Sequence, residues 1–137
     1  MDTNELIKRY AAGERDFSGV NLSGVDLSCI GLSQINLKGA DLSRAVLTEA
    51  NLKLANLSFA NLYGAHLERV NFTGARLFQA NLRRSFLKET LFIEADLRSA
   101  DLRDAKLLRA DLTNADLWAT KMPDKFTYSP SAKLAQS

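Results

Sequence analysis

The chain carries a large apolar residue at every fifth position. From Phe17 to Met122 all 22 of these positions are Leu, Phe or Met, and 18 of them are Leu. We call this position i and number the other residues of each repeat from it. Position i−2 is Ala in 13 of the 22 repeats, and position i−1 is Asn or Asp in 14 of them. The chain therefore repeats Ala-(Asn/Asp)-Leu-X-X, as residues 50–54 and 100–104 illustrate.

An apolar period of five residues fits neither regular secondary structure. An α-helix would turn by about 500° between successive positions i, and a strand would point them alternately to opposite faces. A chain that turns a corner once in every repeat instead points positions i−2 and i inward each time. Four corners close a coil of about 20 residues, and stacked coils pair their backbones about 4.8 Å apart. The pattern predicts an all-β solenoid in which residues 20 apart are vertical neighbours.

The unbroken tandem pattern over residues 15–124 resembles the pentapeptide-repeat family. The resemblance implies a right-handed quadrilateral β-helix with four repeats in each coil, which here gives about five and a half 20-residue coils. A leucine-rich repeat needs Leu-X-X-Leu-X-Leu spacing, which is absent, and a hexapeptide β-helix needs a period of six residues.

We expect three segments, because a solenoid needs its ends covered. Residues 1–13 are predicted to form a short N-terminal capping helix, residues 14–124 the β-helix and residues 125–137 a C-terminal tail. Phe126 and Tyr128 of the tail are expected to cover the last coil.

The capping helix is predicted from the residues that begin, line and end it. Thr3 is the expected N-cap, Leu6, Ile7 and Tyr10 are expected on one face, and Gly13 stops the helix. That face is expected to pack on the first coil.

Positions i−2 and i indicate how the interior is filled. Ala at i−2 fits a narrow coil, whereas four successive repeats carry larger residues and predict a wider first coil. These residues are Val20, Val25, Ile30 and Ile35. At position i, Leu52, Phe72 and Phe92 are expected to stack along one side of the interior, with the two Phe rings in contact.

Two other positions carry turn-forming residues. Five of the seven glycines lie at i+2, which suits corners that need a positive φ. Asn and Asp at i−1 can accept hydrogen bonds from the turn backbone, so we interpret these side chains as structural and not catalytic.

The sequence offers no arrangement of residues suited to catalysis or metal binding. His66 is the one histidine, and no Cys, His or carboxylate lies at a ligand spacing from it on a helix. Cys29 is the one cysteine, so it cannot form an internal disulfide, and it has no identifiable base beside it. An interior filled with Leu leaves no cavity for a substrate. We therefore expect a non-enzymatic protein without a cofactor or a metal.

Charge and hydropathy limit the environment and the partners. The formal net charge of +2 counts against a role that needs a strongly acidic surface. The first ten residues lack the long apolar core of a signal peptide, and no stretch approaches the roughly 18 apolar residues that span a membrane. We expect a cytoplasmic protein that does not bind a membrane and whose partner is not a nucleic acid.

The departures from Asn or Asp at i−1 are concentrated in one column. Four of the eight exceptions are spaced 20 residues apart: Val46, His66, Phe86 and Lys106. Only Asp26, at the base, keeps the consensus there. The substitutions remove a turn-stabilising side chain, and a mixed apolar and charged strip around an aromatic is typical of a modest protein contact. Drift on a tolerant surface, or a wider corner that no longer needs Asn, is the alternative explanation.

Neighbouring residues complete this candidate partner-binding surface. The i+1 positions supply Glu68, Lys88 and Leu108, and the i+2 positions supply Glu49, Arg69, Glu89 and Arg109. We call these seven residues and the four of the column the Phe86 wall. Its alternating charges are interpreted as mutually stabilising, at about 0–1 kcal/mol for each exposed pair. Phe86 is the expected anchor, and His66 is a candidate pH-sensitive neighbour.

Arginines form a second surface cluster. They lie one or two residues after the position-i leucines of the preceding column, and they are Arg44, Arg83, Arg84 and Arg103. Asp41, Asp101 and Asp104 dilute their charge. A solvated face and a patch for phosphate or an acidic protein are the two explanations.

Three functions follow from these observations. The first is a protein–protein interaction or scaffold module that presents flat walls to an unknown protein partner. The second, implied by the resemblance alone, is protection of DNA gyrase by DNA mimicry, for which the family uses a long, acidic, dimeric rod. The third is a structural repeat without a dedicated partner. The chain is expected to be a monomer, or a weak dimer through its C-terminal coil.

Overall fold

Parallel bridges between residues 20 apart organise most of the backbone. The computed structural model describes residues 1–124, 126 and 133–134. Within them, every i−1 residue from Asp16 to Asp101 bridges the i−1 residue 20 positions later. The bridges form four columns along the solenoid. The prediction that residues 20 apart are vertical neighbours is therefore confirmed.

The helix and the strands of the described residues lie at the two ends of the solenoid. Helix α1 spans Thr3–Ala11 at the N-terminus. Strands β1, Asp116–Leu117, and β2, Lys133–Leu134, lie near the C-terminus. Between them the backbone is built from the short bridges and turns of the repeat.

Backbone hydrogen bonds use four of the five N–H groups in a typical repeat. The Leu42 N–H donates to Asn61 O at 2.7 Å, and the Asn61 N–H donates back to Ala40 O at 2.9 Å. The N–H at i+2 donates to the i+1 carbonyl one coil further on, and the Ala45 N–H closes the turn on Leu42 O at 3.0 Å. Only the N–H at i+1 is left for a side chain to bind.

Position i+2 adopts a positive φ in every repeat from residue 19 to residue 119. Glycine takes this conformation without strain, which explains its concentration at i+2. Sixteen residues other than glycine also adopt it, including Phe59 with a φ of 63° and Glu89 with a φ of 58°. The corner geometry is therefore imposed by the stacked coils and does not depend on glycine.

Side chains at positions i and i−2 form one continuous core. Leu47, Leu67 and Leu87 are fully buried in successive coils of one column. Phe72 and Phe92 are also fully buried, and their rings stack with centroids 5.3 Å apart and planes 5° from parallel. The predicted contact between the two Phe rings is confirmed.

The larger residues of the first coil are less uniformly buried. Ile35 is buried, whereas Val20, Val25 and Ile30 are partly buried and pack against the core. The wider first coil stays a prediction.

Helix α1 begins one residue earlier than the sequence suggested. Asp2 is the N-cap, because its backbone is extended and its carboxylate accepts a hydrogen bond from the Glu5 N–H at 2.8 Å. The prediction that Thr3 is the N-cap is wrong. Leu6 is fully buried, but Ile7 is 41% exposed and lies outside the buried face.

Three donors near the N-terminus bind carbonyls of the first coil. The Met1 ammonium group donates to Asn21 O at 3.2 Å, and the Thr3 hydroxyl donates to Asp26 O at 2.8 Å. A third donor, the Tyr10 hydroxyl, binds the Ser33 carbonyl at 2.8 Å. In later coils the equivalent carbonyls accept from the coil below. The N-terminal segment therefore replaces the missing coil at this end.

The C-terminal segment contributes a strand that the repeat did not predict. Strand β2 pairs in parallel with β1, with Asp116 opposite Lys133 and Leu117 opposite Leu134. The partners are 17 residues apart and not 20, so the five-residue period gives no sign of the pairing. Phe126 is partly buried and packs against the core. Tyr128 lies outside the described residues.

Candidate partner-binding surface

Asn and Asp at i−1 bind the one backbone N–H that the coils leave free. In all 14 repeats that carry Asn or Asp, the side-chain oxygen accepts from the i+1 N–H at 2.9–3.1 Å. Asn51, for example, accepts from the Lys53 N–H at 3.1 Å. The predicted structural role of these side chains is confirmed.

Several of these aspartates are held in the charged form by their partners. The pKa of Asp41 is lowered first by the Ser43 hydroxyl and then by the Ser43 N–H. In the same way, the hydroxyl and the N–H of the residue two positions later lower the pKa of Asp16, Asp26 and Asp111. The guanidinium of Arg98 is the main cause that lowers the pKa of Asp96, and Arg103 acts likewise on Asp101.

These shifts predict a loss of stability in acid. A carboxyl whose pKa is lower in the folded than in the unfolded chain stabilises the fold above its unfolded pKa of about 3.9. That contribution disappears as the pH falls through the folded pKa. We expect the melting temperature to be flat from neutral pH to about 5 and to fall below about pH 4.

Asparagine supplies the matched control, because it keeps the acceptor oxygen and does not titrate. Between about pH 5 and about pH 2.5, the melting temperature of the combined variant Asp16→Asn, Asp41→Asn, Asp111→Asn should fall less than that of the unmodified chain. The reason is that three carboxyls whose protonation destabilises the fold are no longer present. Parallel melting curves for the two proteins would contradict this prediction.

The Phe86 wall lacks these turn-stabilising acceptors. Val46, His66, Phe86 and Lys106 are bridged in sequence, so the structure brings the four predicted members together in one column. The N–H groups two residues after them find no acceptor in the described part of the chain. They belong to Thr48, Glu68, Lys88 and Leu108. The column therefore forgoes four hydrogen bonds that other repeats make, each worth about 0.5–1.5 kcal/mol.

Two rings and a cation stack along the middle of this wall. The rings of His66 and Phe86 lie 4.6 Å apart between centroids and 5° from parallel. The Lys106 Nζ atom lies 5.2 Å from the centroid of the Phe86 ring. His66 is 44% exposed, so the stack lies at the surface. Sequence spacing predicted the column but not the stacking, which depends on side-chain rotamers.

Every carboxylate of the wall lies close to a positively charged or ionisable partner. Oxygens of Glu49 and Glu89 lie 3.1 Å and 3.7 Å from the guanidinium nitrogens of Arg69 and Arg109. The Nδ1 atom of His66 lies 3.7 Å from Glu68 Oε1. The predicted charge alternation thus produces two ion pairs, each between residues of adjacent coils, and we expect them to contribute little because they are exposed.

The other surface clusters contain both ion pairs and ring contacts. Arg103 lies 2.7 Å from Asp101, and Arg83 lies 3.7 Å from Asp104. On another column, Phe59 and Phe78 contact each other edge to face at 5.6 Å. Among the described residues we find no group of three or more His, Cys, Asp or Glu side chains that could hold a metal ion. None of the helices there is both long and apolar enough to cross a membrane.

The continuous core, the stacked bridges and the five-residue repeat define a β-helical repeat protein. A sequence model of pentapeptide repeats matches residues 16–53, 55–92, 71–107 and 80–118, in 8 copies. The chain belongs to the pentapeptide-repeat family.

Solved structures of the family resemble the chain over most of its length. Rfr23 from the cyanobacterium Cyanothece 51142 is 27% identical, with a TM-score of 0.65, over 88% of this chain and 98% of that one. The protein alr5209 from Nostoc PCC 7120 is 31% identical, with a TM-score of 0.53, over 92% and 88%. QnrB1, a plasmid-mediated fluoroquinolone resistance protein, is 17% identical, with a TM-score of 0.46, over 89% and 61%, which is too distant to bear on function. A search of curated proteins finds no match.

Proposed function

We propose that the chain is a non-enzymatic protein-interaction module and that the Phe86 wall contacts its protein partner. One observation carries the proposal. Four consecutive members of one column depart from Asn or Asp, which leaves four N–H groups unpaired and puts a stacked ring pair at the surface. A chain that forgoes a stabilising hydrogen bond in coil after coil is expected where a contact is selected over stability.

We also propose the finer features of the fold and of the location. Four bridge columns and 22 repeats support a quadrilateral cross-section of about five and a half coils. The free and exposed Cys29 fits the reducing environment of the cytoplasm. We propose a monomer, or a weak dimer through the C-terminal coil.

The two other functions account for less of what is observed. DNA mimicry requires a continuous acidic surface, whereas the net charge is +2 and the wall interleaves both signs of charge. A structural repeat without a partner explains the four departures in one column only by drift or a wider corner, and it gives no role to the stacked rings there.

The test restores the family pattern at the centre of the wall. Phe86→Asn removes the ring and gives the Lys88 N–H an acceptor. The lost ring stacking and the gained hydrogen bond are each worth about 0.5–1.5 kcal/mol, so the hydrogen bond offsets part of the loss. We expect a folded protein with a melting temperature within a few degrees of the original. Capture of partner proteins from a lysate of the source organism should fall at least about tenfold.

Leu91→Asn is the matched control, because Leu91 is also an apolar i−1 residue, on the next column. This variant should retain the captured proteins, identified by mass spectrometry. Equal capture by the unmodified chain and Phe86→Asn would contradict the proposed function, as would equal losses in Phe86→Asn and Leu91→Asn.

A further inference from the structure

Three cations close to Phe86 in the fold are not held in salt bridges. Arg84 and Lys88 lie in the turns just before and just after Phe86, and Lys106 lies over its ring. All three side chains are exposed, and none forms a salt bridge in the described structure. Glu49 and Glu89 of the same wall pair with Arg69 and Arg109. Glu68 only lies near His66, and its buried Oε1 atom has no hydrogen-bond partner in the described structure. With Arg69 and Arg109, five cations face three glutamates on this surface, which leaves a surplus of positive charge around Phe86.

The unpaired turn N–H groups add to this positive character. In other repeats the i+1 N–H binds the oxygen of the i−1 side chain, so it points toward the outer face. At Lys88 and Leu108 no oxygen of residues 1–124 takes its place. Backbone N–H groups without an acceptor favour oxygen acceptors, and anionic oxygens most strongly.

We propose that the partner presents an acidic segment to the Phe86 wall, and this rests on the proposed function. Asp or Glu carboxylates of the partner pair with Arg84, Lys88 and Lys106. An apolar side chain between them packs on the exposed edge of the ring pair. Charge complementarity of this kind speeds association and selects the partner, while the aromatic anchor supplies the buried contact.

Nucleic acid fits this surface less well than an acidic protein. A phosphate backbone requires a continuous row of cations along its path. On the Phe86 wall, Glu49, Glu68 and Glu89 interrupt the cations in three successive coils. A short acidic segment needs to contact only the three unpaired cations and does not need a continuous row of them.

The experiment uses the full chain and synthetic probes. Three fluorescent peptide pools share a central Leu or Phe and differ only in flanking residues, which are acidic, neutral or basic. A single-stranded DNA oligonucleotide of similar length is the fourth probe. Fluorescence anisotropy should give acidic-pool binding at least about tenfold tighter than neutral-pool binding at low salt, with the difference shrinking as salt screens the charges.

Two charge-reversed proteins test the location. Arg84→Glu, Lys88→Glu, Lys106→Glu should remove the preference for the acidic pool. Lys8→Glu, Lys38→Glu, Lys53→Glu changes the net charge equally at positions off the wall and should keep it. Folding of both is checked by circular dichroism.

Several results would overturn the acidic-partner proposal. These are no binding of the acidic pool, a preference for the neutral or basic pool, equal losses in the two triple variants, or tighter binding of the oligonucleotide. Such results leave the proposed function standing if Phe86→Asn still reduces capture from the lysate at least about tenfold. If that variant captures normally, the proposed function fails whatever the peptides show.

Discussion

Replacing Leu67 with alanine should lower the free energy of unfolding by about 2–5 kcal/mol. Leu67 is fully buried between Leu47 and Leu87, which are equally buried in the coils below and above. Removal of its side chain forfeits the burial and leaves a cavity that close-packed neighbours cannot fill. Its backbone carbonyl also accepts a hydrogen bond from the Thr90 hydroxyl at 2.7 Å, so collapse of the site would disturb the next coil.

Chemical denaturation with circular dichroism measures this loss. Leu108→Ala is the matched control, because Leu108 lies on the same column of repeats but is 60% exposed. We expect the control to change stability by less than about 0.5 kcal/mol. If the two leucines were equally tolerant of truncation, position i would not be the core position of the repeat.

Deleting residues 1–12 should destabilise the fold and cause association. The deletion exposes the apolar surface that the fully buried Leu6 covers, and it removes the donors to the carbonyls of Asn21, Asp26 and Ser33. An uncovered coil end presents unpaired backbone groups and apolar side chains, which promote pairing between chains. Size-exclusion chromatography with light scattering should detect dimers or larger species, and the melting temperature should fall by several degrees.

Substitution within the helix provides the control for this deletion. Ile7→Asp changes a helix residue that is 41% exposed, so it should leave the cover in place and the protein unassociated. A truncated chain that stays monomeric and melts at the original temperature would refute the capping role of the N-terminal segment.

Local repetition explains how much of the fold the sequence could predict. Each repeat makes the same contacts with the coil below it, so the five-residue period alone predicts the core, the vertical neighbours and the role of Asn and Asp at i−1. Non-periodic contacts were missed. Asp2 and Thr3 are both good N-cap residues, and the choice between them depends on the Thr3 hydroxyl reaching Asp26 O, 23 residues away. Strand β2 was missed because its pairing follows no period.

The candidate site was predictable to the level of columns but not of contacts. Spacing alone placed Val46, His66, Phe86 and Lys106 together. The ring stack of His66 on Phe86, and the pairing of Asp104 with Arg83 instead of Arg84, depend on side-chain conformations, which the repeat does not specify. The unpaired N–H groups, however, could have been predicted from the sequence. An i−1 residue without an acceptor oxygen implies an unpaired N–H two residues later.

The bridge register also determines how such a chain can lengthen during evolution. A tandem duplication of five residues between His66 and Phe86 would preserve every core position, yet it would shift each later residue into the next column. Phe86 would then no longer stand above His66, and the composite surface would be divided between two sides. Only a duplication of a full 20-residue coil keeps all four columns intact. Surfaces in this architecture are therefore inherited in units of a coil, although the fold itself tolerates growth by single repeats.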